Sequence, residues 1–238
     1  MTPLAIVAVY MVKPENDWLL DLHLTQIARC TETPYTIYGA PNGLSAELHA
    51  RLAARPEIKL LDIPPIEGSG TAQHSFFLDR LVAAAVADGA EHVAVFHVDS
   101  FPIQPGWDRR LMVELSDDRP LAAVQQAETK DFKPNASGMI FRGDFYRRHT
   151  PSFLLDPVLR TEPTYAAYQE QEPHFPDTGT GYGYTLFCRG LSWRPLLRSN
   201  RVNVHYVFGG IYGDLIFHLG AAARAPGVTP TPEQTGAR

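Results

Sequence analysis

Cysteine is nearly absent from this chain. Cys30 and Cys188 are the only two, far apart and without CxxC spacing. That argues against a disulfide scaffold or a structural zinc site and fits a reducing cytoplasm. Lysine and arginine do not cluster either. Arg109-Arg110 and Arg147-Arg148 are pairs that solvated helix faces account for, and a net charge of −5 gives no basic face for a nucleic acid. Long apolar runs are missing: none approaches the roughly 20 residues of a membrane helix. The apolar opening, Leu4 to Tyr10, is short, lacks a basic leader and is followed by Lys13, Glu15 and Asp17, unlike a signal peptide. The expectation is a cytoplasmic protein with no nucleic-acid partner and no membrane anchor. Its 238 residues, with ordinary apolar and charged fractions, suffice for one good-sized core.

What is present has a rhythm. Leu4 to Tyr10 is a continuous β-branched and apolar run, the pattern of a strand buried on both faces. Asn16 to Ala28 follows with helical spacing and Asn16 as its cap; Tyr35 to Tyr38 reads as a strand, and Ser45 to Ala54 as a helix capped by Ser45. Ile58 to Ile63, Thr71 to Ala87 and His92 to His97 continue as strand, helix and strand. Four such alternations predict an α/β fold, a mostly parallel central sheet flanked by helices. Helix is expected again from Gly106 to Leu115 and from Asp144, and strand over Leu121 to Gln125, Ser137 to Arg142 and Val202 to Val207. Residues 151–182 read as a long irregular loop, of the kind that is usually functional. Residues 1–224 are expected to form one domain, with 225–238 as a frayed tail.

Ligands of parallel sheets bind outside the carboxyl ends of the strands, and Phe96-His97-Val98-Asp99-Ser100-Phe101-Pro102 stands at one. Residues i and i+2 of an extended chain point the same way, so His97 and Asp99 can face one cation together. Mg²⁺ prefers carboxylate oxygen and Mn²⁺ also accepts imidazole. The same letters also read as a turn cap, Asp99, beside a core histidine, His97.

This segment, continued by Pro105-Gly106-Trp107, resembles the family 2-type glycosyltransferases of the GT-A fold, which carry an Asp-x-Asp motif after a buried strand, often followed by Pro-Gly-Trp. The resemblance covers roughly residues 4–224 and includes the opening strand ending in Tyr10, the Tyr35 to Asn42 strand and turn, and Ser137-Gly138-Met139-Ile140-Phe141-Arg142. It implies transfer of a sugar from a nucleoside-diphosphate sugar to a hydroxyl acceptor, with Mn²⁺ or Mg²⁺ and inversion of the anomeric centre. By the same resemblance Asp99 and His218 are metal ligands, with His205 a competitor for the second place. Tyr10, His74, His97, Ser100 and Arg224 contact the donor, with Asp79 or Arg80 as further candidates. Asp177 is the general base, with Glu170 and Glu172 as alternatives. Asp177 also reads as a cap of the next helix.

Two departures from the pattern matter. If Asp99 is the second motif acid, the preferred reading, His97 takes the place of the first, and if Asp99 is the first, Phe101 takes the place of the second; Pro41 stands where the family has a base-contacting Asp. Both favour a rival reading, a catalytically silent nucleotide-sugar binding module. A nucleotidyltransferase needs a glycine-rich loop after the first strand, and Tyr10-Met11-Val12-Lys13-Pro14-Glu15 has no glycine.

Overall fold

The computed structural model describes residues 3–68, 70–200 and 209–220. In its first half, strand β1 (Leu4–Tyr10), helix α1 (Asp17–Cys30), β2 (Tyr35–Pro41), α2 (Ala46–Ala53), β3 (Ile58–Leu60), α3 (Gly70–Ala87) and β4 (His92–His97) follow the expected alternation. The second half adds β5 (Ser100–Pro102), α4 (Trp107–Met112), β6 (Leu121–Gln126), β7 (Asp131–Arg142), α5 (Gly143–His149), α6 (Pro163–Gln171), α7 (Thr180–Cys188), β8 (Arg194–Leu196), β9 (Gly210–Tyr212) and β10 (Ile216–His218).

Seven strands form one sheet in the order β3-β2-β1-β4-β7-β6-β8. β7 alone runs against its neighbours; the other pairings within the sheet are parallel. Every residue of β1 is buried because both faces are covered. Leu4, Ile6, Ala8 and Tyr10 pack with Leu20, Leu24 and Ile27 of α1, while Ala5, Val7 and Val9 pack with Phe77, Leu81 and Val82 of α3. The expected mostly parallel sheet with flanking helices is therefore what the chain builds.

Burial outweighs capping in α1. Asn16 makes no side-chain cap bond, contrary to expectation. A cap contributes about 1 kcal/mol, whereas each fully buried Leu or Ile contributes about 1.5–3 kcal/mol. Ser45 does cap α2, accepting from Leu48 N–H at 3.2 Å. The Pro-Gly-Trp run proves architectural. Trp107 is 1% exposed and its indole N–H donates to Thr31 Oγ1 at 3.1 Å. Buried Asp108 accepts from the Glu32 and Thr33 amides, tying α4 to the end of α1.

A second, three-stranded antiparallel sheet, β5-β10-β9, lies beside the carboxyl end of β4. Gly138 of β7 admits it: a Cβ there would sit 2.9 Å from both Ile216 Cγ2 and Val124 Cγ2. The stretch 151–182 is more ordered than its composition suggests. It holds a short 3-10 turn (Leu159–Thr161), all of α6 and the start of α7, with Tyr165 and Tyr168 buried three residues apart. Val202 to Val207 and the expected tail 225–238 lie outside the described residues. Among those residues no helix is long and apolar enough to cross a membrane.

Candidate metal and donor site

β4 ends at His97, and the chain turns through Val98 and Asp99 into β5. Ser100 closes that turn: its hydroxyl accepts from His97 N–H at 2.9 Å and donates to His97 O at 3.1 Å. β10 then delivers His218 opposite Ser100. Leu219 N–H donates to Asp99 O and Ile103 N–H to Leu215 O, both at 2.9 Å. Ser100 and His218 therefore form a non-hydrogen-bonded pair, the kind whose side chains stand closest.

The result is one cluster built from distant sequence. His97, Asp99 and His218 each offer a ligand atom, and these lie within 4.8 Å of one another. His218 Nε2 is 3.8 Å from Asp99 Oδ1. Metal bonds of about 2.1 Å put neighbouring ligand atoms roughly 3 Å apart, so small side-chain movements suffice and the donor set fits a divalent cation. His74, near the start of α3, joins from the side: its ring centroid is 4.9 Å from that of His97, and the His97 ring is 5.9 Å from that of His218.

Other expected site residues are placed differently. Tyr10 is wholly buried on the α1 face, its ring 6.0 Å from His23 and against Gly39, so its side chain offers no donor contact. Burial also pushes its phenol pKa far up. Ser100 is likewise fully buried, and its hydroxyl is committed to the His97 backbone; it shapes the turn instead of touching substrate. Asp79 holds the 151–155 segment, accepting from Ser152 Oγ at 2.6 Å and Phe153 N–H at 2.9 Å, while Arg80 lies over the Phe76 ring at 5.1 Å. Neither faces the cluster. Arg224 and His205 lie outside the described residues.

Asp177 is exposed on the turn entering α7. Two anchors hold that turn. Ser75 of α3, next to His74, shares a 3.1 Å hydroxyl–hydroxyl bond with Thr178. Gly179, at φ 102°, lies so close to Pro134 O of β7 that a Cβ would come within 2.2 Å; only glycine fits. The Asp177 carboxylate accepts from Thr178 N–H at 2.7 Å, within the turn; the N-cap of α7 is Gly179, with no side-chain cap bond, so Asp177 is not the helix cap. Of the other base candidates, Glu170 is exposed on α6, and Glu172 takes Trp193 Nε1–H at 3.4 Å while burial raises its pKa.

Two neighbours of the cluster, His23 and Gln126, were not singled out in the sequence. His23 of α1 is wholly buried and bonds Ser100 O through Nδ1 at 2.9 Å, anchoring the turn from below. Gln126, at the end of β6, lies 3.3 Å from His218 Nδ1 and accepts from Asn135 at 3.3 Å. The one available hint was the switch from Leu121-Ala-Ala-Val124 to Gln125-Gln126 at a strand's carboxyl end. Two open clefts, one lined by Arg110, Glu114, Arg194 and Leu197, the other by Leu61, Ile66, Phe76 and Arg80, share no residue with the cluster.

The sequence matches no protein-family model and no curated protein. In fold the chain is similar to several solved structures. The mannosyltransferase PcManGT from Pyrobaculum calidifontis, in complex with GDP-Man and Mn²⁺, is 11% identical with a TM-score of 0.48; the match covers 81% of this chain and 54% of that one. Mouse xyloside xylosyltransferase 1 is 11% identical with a TM-score of 0.47, covering 81% and 84%. The galactosyltransferase LgtC, in complex with donor and acceptor sugar analogues, is 16% identical with a TM-score of 0.47, covering 79% and 72%. The chain thus spans about half the length of the Pyrobaculum protein, and these three solved structures are of glycosyltransferases.

Proposed function

We propose that this protein is a metal-dependent glycosyltransferase, similar to the family 2 type, that moves a sugar from a nucleoside-diphosphate sugar to a hydroxyl acceptor. The observation that carries the reading is the meeting of His97, Asp99 and His218 within 4.8 Å at the carboxyl end of β4. In a parallel sheet that is where ligands bind. Two imidazoles and one carboxylate suit Mn²⁺ better than Mg²⁺, which favours oxygen and near-ideal octahedral geometry. Held there, the cation supplies positive charge opposite a departing diphosphate.

The chain's own residues do the rest. His74 borders the donor, at the start of the helix beside His97. Asp177 takes the proton of the acceptor hydroxyl as that oxygen attacks the anomeric carbon, giving inversion. The anchoring of its turn to α3, one residue from His74, supports that assignment. The silent-module alternative is favoured by His97 in the place of an acid. One experiment covers both: a panel of nucleotide-sugars screened by thermal shift with and without Mn²⁺, followed by turnover of any hit. A Mn²⁺-dependent shift with sugar transfer supports the enzyme, a shift without transfer supports the binding module, and no shift with any donor defeats both.

A further inference from the structure

Behind His218 runs a line of polar groups whose direction is set at its far end. The Ser137 backbone N–H donates to Asn135 Oδ1 at 2.9 Å. Asn135 is left with Nδ2, which donates to Gln126 Oε1 at 3.3 Å. Gln126 in turn is left with Nε2, 3.3 Å from His218 Nδ1. An amide NH₂ offers only donors, so His218 Nδ1 accepts. A neutral imidazole that accepts at Nδ1 carries its hydrogen on Nε2, and Nε2 is the atom facing Asp99. A backbone N–H cannot be turned round; the main chain of β7 therefore dictates the polarity of the whole line.

We propose that Asn135 and Gln126 are positioning residues that set the tautomer of His218, and that they hold it with the hydrogen on Nε2. The proposal rests on reading His97, Asp99 and His218 as cation ligands. A cation bound at Nε2 needs that hydrogen on Nδ1, where metal-binding histidines donate to an outer partner. Gln126 must then rotate its amide to present Oε1, and its NH₂ meets that of Asn135, donor against donor. The line thus opposes cation loading by about one neutral hydrogen bond and keeps affinity below what the three ligands alone would give. Asn135→Asp removes the conflict. One carboxylate oxygen keeps the Ser137 N–H, the other accepts from the rotated Gln126, and Gln126 Oε1 accepts from His218 Nδ1–H.

The test is a double-mutant cycle read by calorimetric Mn²⁺ titration of the wild type, Asn135→Asp, Gln126→Leu and the double variant. Asn135→Asp is expected to tighten Mn²⁺ binding about three- to tenfold, the worth of one hydrogen bond. In the Gln126→Leu background that gain disappears, because leucine passes nothing on to His218. Equal gains in both backgrounds mean charge attraction alone and overturn the proposal, as does no gain. Nitrogen-15 spectra of histidine-labelled, metal-free protein give an independent readout: Nδ1 bare in the wild type, protonated in Asn135→Asp. The same state in both overturns the proposal even if Mn²⁺ binds. If Mn²⁺ fails to bind the wild type, or binds Asp99→Asn equally well, the ligand reading fails instead, while the spectra still decide the tautomer.

Discussion

Ser100 and His218 face each other across β5 and β10 although 118 residues separate them in sequence, and the Leu219 N–H to Asp99 O hydrogen bond flanks the pair. That pairing carries His218 to within 3.8 Å of Asp99. Asp99→Asn keeps the side-chain shape and removes the charge. It is expected to abolish Mn²⁺-stimulated nucleoside-diphosphate binding and leave the melting temperature unchanged. Calorimetry with and without Mn²⁺ measures it; undiminished Mn²⁺ stimulation rules the site out.

His218→Ala is expected to weaken Mn²⁺ and diphosphate binding at least tenfold, and His205→Ala to do less. The two affinities, measured side by side, rank the histidines. If His205 proves the critical one, the C-terminal ligand lies upstream of β9.

Asp177→Asn preserves an oxygen for Thr178 N–H, so the turn into α7 survives. As the base it should lower turnover about 10²–10⁴-fold and leave donor affinity nearly unchanged. Glu170→Gln and Glu172→Gln serve as controls. Normal turnover in Asp177→Asn with a dead Glu172→Gln moves the base; full activity in all three removes it from this segment and favours a non-inverting route.

His23 is expected to make a pH-dependent contribution to stability. Burial holds its pKa down at about 4 against an ordinary 6.5, with the Ser100 carbonyl bond opposing. Between those values the unfolded chain binds a proton that the folded one refuses. The associated stability is present above about pH 6.5 and lost as pH falls toward 4, by at most ~3 kcal/mol. His23→Asn keeps an N–H for Ser100 O and cannot titrate in this range. Urea midpoints from pH 7 to 4 should fall less steeply for the variant. Parallel curves would show that His23 does not control the acid limb.

The framework was legible where one face or both bury long runs. Leu4 to Tyr10 and His92 to His97 announce strands, and Leu20, Leu24 and Ile27 announce a helix face. Of the candidate site, His97, Asp99 and His218 stood out in the sequence, the first two by their i, i+2 spacing at a strand end and the third through the family resemblance, and the fold brings their ligand atoms within 4.8 Å of one another. What hid was short or nonlocal. β5, β9 and β10 have three residues each, too few for a period, and exist only through pairing across the chain. α6 starts at a proline and buries tyrosines, a composition that reads as loop. Tyr10 misled because an aromatic at a strand end looks the same whether it faces a ligand or, as here, a helix.

Gly138 carries a consequence for mutational tolerance. It belongs to no ligand set, yet one methyl there collides with Val124 on its own sheet and with Ile216 of β10 at once. Ile216 is two residues from His218, so the excess volume would act as a wedge under the strand that delivers that imidazole. Variation at this position would loosen the spacing of His97, Asp99 and His218 from a distance, without touching any of the three side chains.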